Sequence, residues 1–175
     1  MRIVGGRWRG RTIVSPPDER VRPTTDKVRE AWMSIVGSAI PGARVLDLFA
    51  GSGALGLEAL SRGARSVDFV EQAVASLRVL RENADLLGAR AETTLHRADA
   101  LAFAASLAPH AYDLAFADPP YRLGVAPSLA GLWLATPFAT RLGVEHASNE
   151  PMPMGGDMRR YGQTAITFYH ATRST

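Results

Sequence analysis

Apolar runs that end on an acid or a glycine recur along this chain. Val45-Leu46-Asp47-Leu48-Phe49 runs into Ala50-Gly51-Ser52-Gly53, Ser66–Val70 ends on Glu71, and Leu114-Ala115-Phe116-Ala117 ends on Asp118. Such runs read as buried parallel strands. From Ala54 the pattern turns helical, with Leu55, Leu57, Ala59 and Leu60 available for burial and Gly63 as the stop. The periodicity predicts strands at Arg44–Phe49, Ser66–Glu71, Glu92–Arg97, Tyr112–Ala117 and Arg141–Glu145. Helices at Ala54–Arg62, Ala73–Leu87, Ala100–Leu107 and Ser128–Ala135 alternate with them. Met158–Tyr161 and Ala165–His170, separated by Gly162-Gln163-Thr164, read as an antiparallel hairpin at the sheet edge. Ahead of the first strand a helix opens at Thr25, an N-cap followed by Asp26 in the first turn. Its buried stripe is expected at Val28, Ala31, Trp32, Ile35 and Ala39. Gly5-Gly6 and Gly10 punctuate two short extended stretches, Arg2–Val4 and Arg11–Val14, which predicts a small N-terminal β-hairpin arm. The expectation is a mostly parallel α/β sheet of seven strands closed by a reversed hairpin, with residues 1–22 as the arm and 23–175 as the main domain.

Chemistry gathers where the strands end. At Asp118-Pro119-Pro120-Tyr121 two prolines stop the ladder, because neither has an N–H and both fix φ. The chain leaves the sheet at a carboxylate, in a stiff turn, with an aromatic ring just beyond. The carboxyl ends of strands are where open α/β sheets bind ligands. The Asp118 side chain and the Pro119 carbonyl form a rigid acceptor pair beside the Tyr121 ring, suited to holding a flat heteroaromatic amine by its NH2 group. Alone, these residues fit a strand stop with a loop acid equally well. The segment Ala50–Gly56 breaks the tie. Strand, glycine loop and helix present backbone N–H groups and a helix N-terminus to an anionic ligand group. Gly51, Gly53 and Gly56 spell the dinucleotide-binding fingerprint, and Glu71, twenty positions after Gly51, can accept from both hydroxyls of a ribose. Nicotinamide dinucleotides and S-adenosylmethionine both satisfy this. Three features favour S-adenosylmethionine. Asp47 would repel a pyrophosphate but suits a sulfonium ligand carrying an ammonium group. Asp99, after Leu95-His96-Arg97-Ala98, is placed to accept from an adenine amino group. Asp118–Tyr121 has no role in hydride transfer. The reading is a methyltransferase.

With these motifs in view, the chain resembles the bacterial family that methylates the N2 amine of a guanine in small-subunit (16S) ribosomal RNA. The matching stretches are Met1–Arg11, Arg22–Glu30, Asp47–Ala64, Phe69-Val70-Glu71, Asp118–Tyr121 and Arg160–Thr164, in the family's order. One departure is Trp32-Met33-Ser34, where relatives often have Leu-Phe-Asn; Trp32 reads as core. The resemblance implies a Rossmann-like, class I methyltransferase fold with S-adenosylmethionine as cofactor. It implies cofactor contacts from Thr24, Asp47, Phe49, Ala50, Gly51, Ser52, Gly53, Glu71, Gln72, Asp99 and Ala100, and catalysis by Asp118, Pro119, Pro120 and Tyr121. The implied substrate is a hairpin-loop guanine near the P site, in an assembled or nearly assembled 30S particle, met by a monomeric enzyme. Three rivals stand beside it. An adenine-N6 methyltransferase would share the tetrapeptide but usually needs a target-recognition domain, for which this chain has no room. Protein-glutamine methyltransferases typically show Asn at the position of Asp118. A non-catalytic RNA-binding protein would not need the motif acids and glycines, all of which are intact.

Composition narrows the setting. A chain of 175 residues is long enough to bury about two-thirds of its unfolded surface in one domain. It has no cysteine, so disulfides and thiolate metal sites are excluded, and His96, His110, His146 and His170 lack ligand spacing. No metal is expected. No apolar stretch approaches the roughly 20 residues of a spanning helix and the start lacks a signal-peptide core, so a cytoplasmic protein is expected. Charge is uneven: residues 1–32 hold eight basic side chains against four acidic, while the whole chain carries +3. Arginine suits bidentate phosphate contact and base stacking. Arg7, Trp8, Arg9, Arg11 and Arg22 are therefore the expected RNA contacts, with cations beside an aromatic face. The competing reading has Trp8 packing the hairpin against the domain.

Overall fold

The computed structural model describes residues 1–15, 26–121 and 124–172. Seven strands form one sheet: β1 (Arg44–Leu48), β2 (Ser66–Glu71), β3 (Thr93–Arg97), β4 (Tyr112–Ala117), β5 (Ala139–Ala147), β6 (Asp157–Tyr161) and β7 (Thr164–His170). The order is β3-β2-β1-β4-β5-β7-β6. Pairings from β3 through β5 are parallel, and β7 runs antiparallel to both β5 and β6. Short apolar strands alternating with helices force this outcome, because a parallel pair needs a crossover long enough to cover one face. The helices are α1 (Asp26–Val36), α2 (Ala54–Ser61), α3 (Val74–Leu86), α4 (Ala100–Ala105) and α5 (Val125–Ala135).

Two cores result, one on each face. Val45, Val67, Phe69, Leu114 and Phe116 pack with Trp32, Leu57, Leu60 and Leu80 under α1, α2 and α3. Leu46, Leu48, Val70, Ala115 and Ala117 pack with Ala104, Leu129 and Trp133 under α4 and α5. Neighbouring strands β1 and β4 are joined through β2 and β3, so the order reverses between them. This is the topological switch point, where doubly wound sheets open a crevice at their carboxyl edge.

The elements follow the predicted ones with a few informative shifts. The helix after the fourth strand starts at Val125, three residues early, because Pro127 lies in its first turn, where a missing N–H costs no helical bond. The buried stripe of α1 is Arg29, Trp32, Met33 and Val36, rotated by one position from the expected Val28, Ala31 and Ile35. Arg29 causes the rotation: it is fully buried, donating to the Arg2 carbonyl and Asp26 and lying 3.6 Å from Glu58. His146 is fully buried and bonded to Thr167 at 2.7 Å.

The N-terminal arm departs most from expectation. Its two stretches pair through one bridge, Arg2 with Thr12, around a single 3-10 turn at Gly6–Trp8. Ile3, Trp8 and Ile13 enter the same core as the sheet. Glu58 of α2 accepts from the Val4 and Gly5 N–H groups, and Ser61 accepts from the Trp8 N–H. Thr25, the expected cap of α1, lies outside the described residues.

Candidate active site

The glycine loop after β1 is shaped by its neighbours. Phe49 has φ +58, a conformation that bulky residues adopt only under strain and that clusters at functional sites. At Gly53, with φ +83, an added Cβ would lie 2.0 Å from Leu80, so neither conformation nor space admits a side chain. Gly56 faces the Phe69 ring, which a Cβ would meet at 2.4 Å; its absence lets α2 lie close on β2. Gly53 caps α2 without a side chain, and Asp47 of β1 supplies the acceptor instead, taking the Gly56 N–H at 2.9 Å.

Strand ends bring the acids together. Glu71 closes β2 and accepts from the Gly51 N–H at 2.8 Å, and its other oxygen accepts from the N–H groups of Gln72 and Ala73 at 2.9 Å. This ties Glu71 directly to the glycine loop. Asp47 is 2% exposed, and its pKa is raised well above the usual carboxylate range. Burial is the main cause, opposed by the Gly56 N–H and reinforced by the negative charges of Asp118 and Glu71. Ala50 and Ser52 are buried in the loop.

Asp118 is half-buried at the end of β4, one strand from β1, followed by buried Pro119 and exposed Pro120. Tyr121 is 41% exposed, and its hydroxyl is bonded to that of Thr164 at 2.7 Å. Asp99 is exposed beyond the end of β3. There it caps α4 by accepting from the Ala102 N–H at 2.9 Å, and Ala100 is buried in the helix's first turn. A capping role was not expected of Asp99, and it occupies one carboxylate oxygen. Arg22 and Thr24 lie outside the described residues.

The proposed RNA contacts stand apart from this cluster. Arg7 pairs with Glu92, the residue preceding β3, at 2.7 Å, and Arg11 donates to the Leu86 carbonyl at the end of α3. Both partners mark the amino ends of the strands, the opposite side of the sheet from Asp118. Trp8 is 8% exposed, with the Arg7 guanidinium 4.2 Å above its ring. The expectation of a free stacking face at Trp8 is therefore corrected: the ring packs the arm onto α2. Arg9 is exposed and lines a shallow polar pocket with Arg2, Asp26 and Glu30.

Several residues that build the site have no local sequence signal. Thr164 meets Tyr121 only because β7 inserts between β5 and β6. Asn83 of α3 is fully buried, bonding both backbone groups of Val14 and the Ser52 carbonyl, so it joins the arm to the glycine loop. The Trp32 indole donates to Glu145 of β5 at 3.3 Å. Among the described residues no helix is long and apolar enough to cross a membrane, and no group of three or more His, Asp or Glu side chains could hold a metal.

Residues 1–170 match the family described as conserved hypothetical protein 95. The ribosomal RNA small subunit methyltransferase D of Escherichia coli K12 is 40% identical over 141 residues, covering 77% of this chain and 70% of that protein. Among solved structures, a hypothetical protein of Thermus thermophilus superposes with a TM-score of 0.84 at 30% identity, covering 98% of this chain and 99% of that one. The SAM-dependent methyltransferase of Agrobacterium tumefaciens shares the fold at a TM-score of 0.64 and 18% identity, covering 86% of this chain and 63% of that one.

Proposed function

The chain belongs to the family described as conserved hypothetical protein 95, and from that premise we propose that it transfers a methyl group from S-adenosylmethionine to the N2 amine of a guanine in small-subunit ribosomal RNA. The observation that carries the reading is the adjacency, across the β1–β4 switch point, of a glycine loop and the turn Asp118–Tyr121. The charge of the cleft supports the choice of cofactor. Asp47, Glu71 and Asp118 face one another, and burial already disfavours ionisation of Asp47. A ligand bearing ammonium and sulfonium charge relieves that strain, whereas a pyrophosphate would aggravate it. Glu71 would accept from the ribose hydroxyls, Asp47 would face the ammonium group, and Asp99 would offer its remaining oxygen to the adenine.

S-adenosylmethionine, when bound, supplies an electrophilic methyl group on a cationic sulfur. What the chain must do is present the amine. The N2 lone pair of guanine is delocalised into the ring, so the amine is a poor nucleophile until it pyramidalises. The Asp118 carboxylate and the Pro119 carbonyl, accepting from its two N–H bonds, stabilise the positive charge that develops there. Tyr121 stacks on the base, and alignment of the amine supplies much of the remaining rate. The proton leaves afterwards to Asp118 or to water. The target nucleotide must reach the cleft unstacked. A 30S particle as substrate, a monomeric enzyme and RNA contact by Arg7, Arg9 and Arg11 belong to this proposal.

The test is to incubate the protein with labelled S-adenosylmethionine and small-subunit particles from a strain lacking the gene, then digest to nucleosides. The expected product is N2-methylguanosine. Label in N6-methyladenosine, or none in RNA, would overturn the reading.

A further inference from the structure

We infer that Thr164 is a positioning residue for the transfer, holding the Tyr121 ring in place for the target base through the bond between their hydroxyls. The inference rests on the reading of Asp118–Tyr121 as the base-holding turn. An aromatic side chain that is 41% exposed in a loop ordinarily samples several rotamers. Here the ring is fixed at both ends. Pro119 and Pro120 stiffen the backbone at its root, and at its tip the hydroxyl lies 2.7 Å from Thr164 Oγ1.

The anchor is itself rigid. Thr164 is 8% exposed and opens β7, with backbone pairing to Ala147 on one side and Tyr161 on the other. Its β-branched side chain has few rotamers. The turn before it is pinned to the segment after β5 by the Ser148 N–H, which donates to the Gln163 carbonyl at 2.8 Å. The terminal antiparallel hairpin thereby braces a ring that stands at the end of a parallel strand. With one hydroxyl donating and the other accepting, the Tyr121 oxygen serves as a tether. A ring already ordered avoids the cost of being ordered when the base arrives, which corresponds to about 2- to 12-fold in affinity.

Two nearly isosteric variants test this in the full chain: Thr164→Val, which removes the anchor hydroxyl, and Tyr121→Phe, which keeps the ring and removes its tether. The measurements are kcat and KM with unmodified small-subunit particles, the Kd for the particle without cofactor, the Kd for S-adenosylmethionine, and the melting temperature. Each variant should raise KM and the particle Kd about 2- to 12-fold, with cofactor binding held and kcat changed by less than KM. The double variant should be no worse than either single one, since both remove the same bond. Wild-type KM in either variant, or losses that multiply in the double, would overturn the inference. So would a loss in Thr164→Val that merely tracks a fall in melting temperature while Tyr121→Phe stays normal. A wild-type protein that methylates no guanine would sink the functional reading and this inference with it. An active wild type with unaffected variants would sink this inference alone.

Discussion

Asp47 lies buried below the cleft with two other carboxylates facing it. Its folded pKa is raised above the ordinary 3.8, so between that value and the folded one the native state holds a proton that the unfolded chain has lost. Stability contributed at this site therefore falls as pH rises through that window. Asp47→Asn keeps an acceptor for the Gly56 N–H and removes the charge. The free variant should melt above the wild type at neutral pH, with the advantage vanishing as pH falls towards 3.8, as thermal melts across pH will check. It should also bind S-adenosylmethionine more weakly, by loss of the anion facing the ammonium; unweakened binding would remove Asp47 from that contact. Asp118→Ala addresses the chemistry. Losing an acceptor that matters mainly in the transition state should lower kcat by about 10²–10³, or roughly 2.7–4 kcal/mol, with the cofactor Kd changed far less. Near wild-type turnover at saturating substrate would refute the role. The acids were legible in the sequence because each ends an apolar run. Their mutual electrostatics were not, since Asp47, Glu71 and Asp118 meet only across three strands.

At the scale of elements, Glu58 decides how the arm, α1 and α2 fit together. It is fully buried and accepts from the N–H groups of Val4 and Gly5 and from Arg62, with Arg29 at 3.6 Å. Glu58→Ala would take a carboxylate from beside the buried Arg29 charge and orphan two backbone donors, a loss of about 3–5 kcal/mol. Arg29→Met should cost less. It leaves Glu58 with its other donors and removes two buried guanidinium nitrogens, Nε and Nη1, that make no hydrogen bond among the described residues. Urea denaturation of both variants measures the ordering; the reverse order would mean that Arg29 anchors the cluster. Apolar periodicity alone pointed α1 one position away from its true buried face. A buried arginine cannot be recognised without its partner, and Glu58 lies 29 residues along the chain, inside a helix whose 8 residues are all buried.

For the whole molecule, the question is how far the RNA footprint reaches. Arg7 and Arg11 lie toward the amino ends of the strands, whereas Asp118 lies at the carboxyl ends. An RNA touching both must therefore wrap a flank of the domain. Arg9 is exposed, and the surface pair of Arg7 with Glu92 is worth at most about 1 kcal/mol, so a phosphate can displace it. Replacing Arg7, Arg9 and Arg11 together by Ala should make the dependence of log K on log salt shallower by about 2 to 3 units, at roughly 0.7–0.9 per lost contact. Binding titrations at several salt concentrations check this, and an unaltered slope would confine the footprint to the strand-end face. By itself the sequence determined the alternation of strands and helices, the closing hairpin, the glycine loop and the acids at the strand ends. Each of these is written in a local period or a local interruption of one. Only the tertiary structure decided that Trp8 faces inward, that Arg29 is buried against Glu58, that Asn83 joins the arm to the glycine loop and that Thr164 is bonded to Tyr121. Those contacts form between segments whose separation along the chain carries no periodic signal, and they exist only once the sheet has fixed which strands are neighbours.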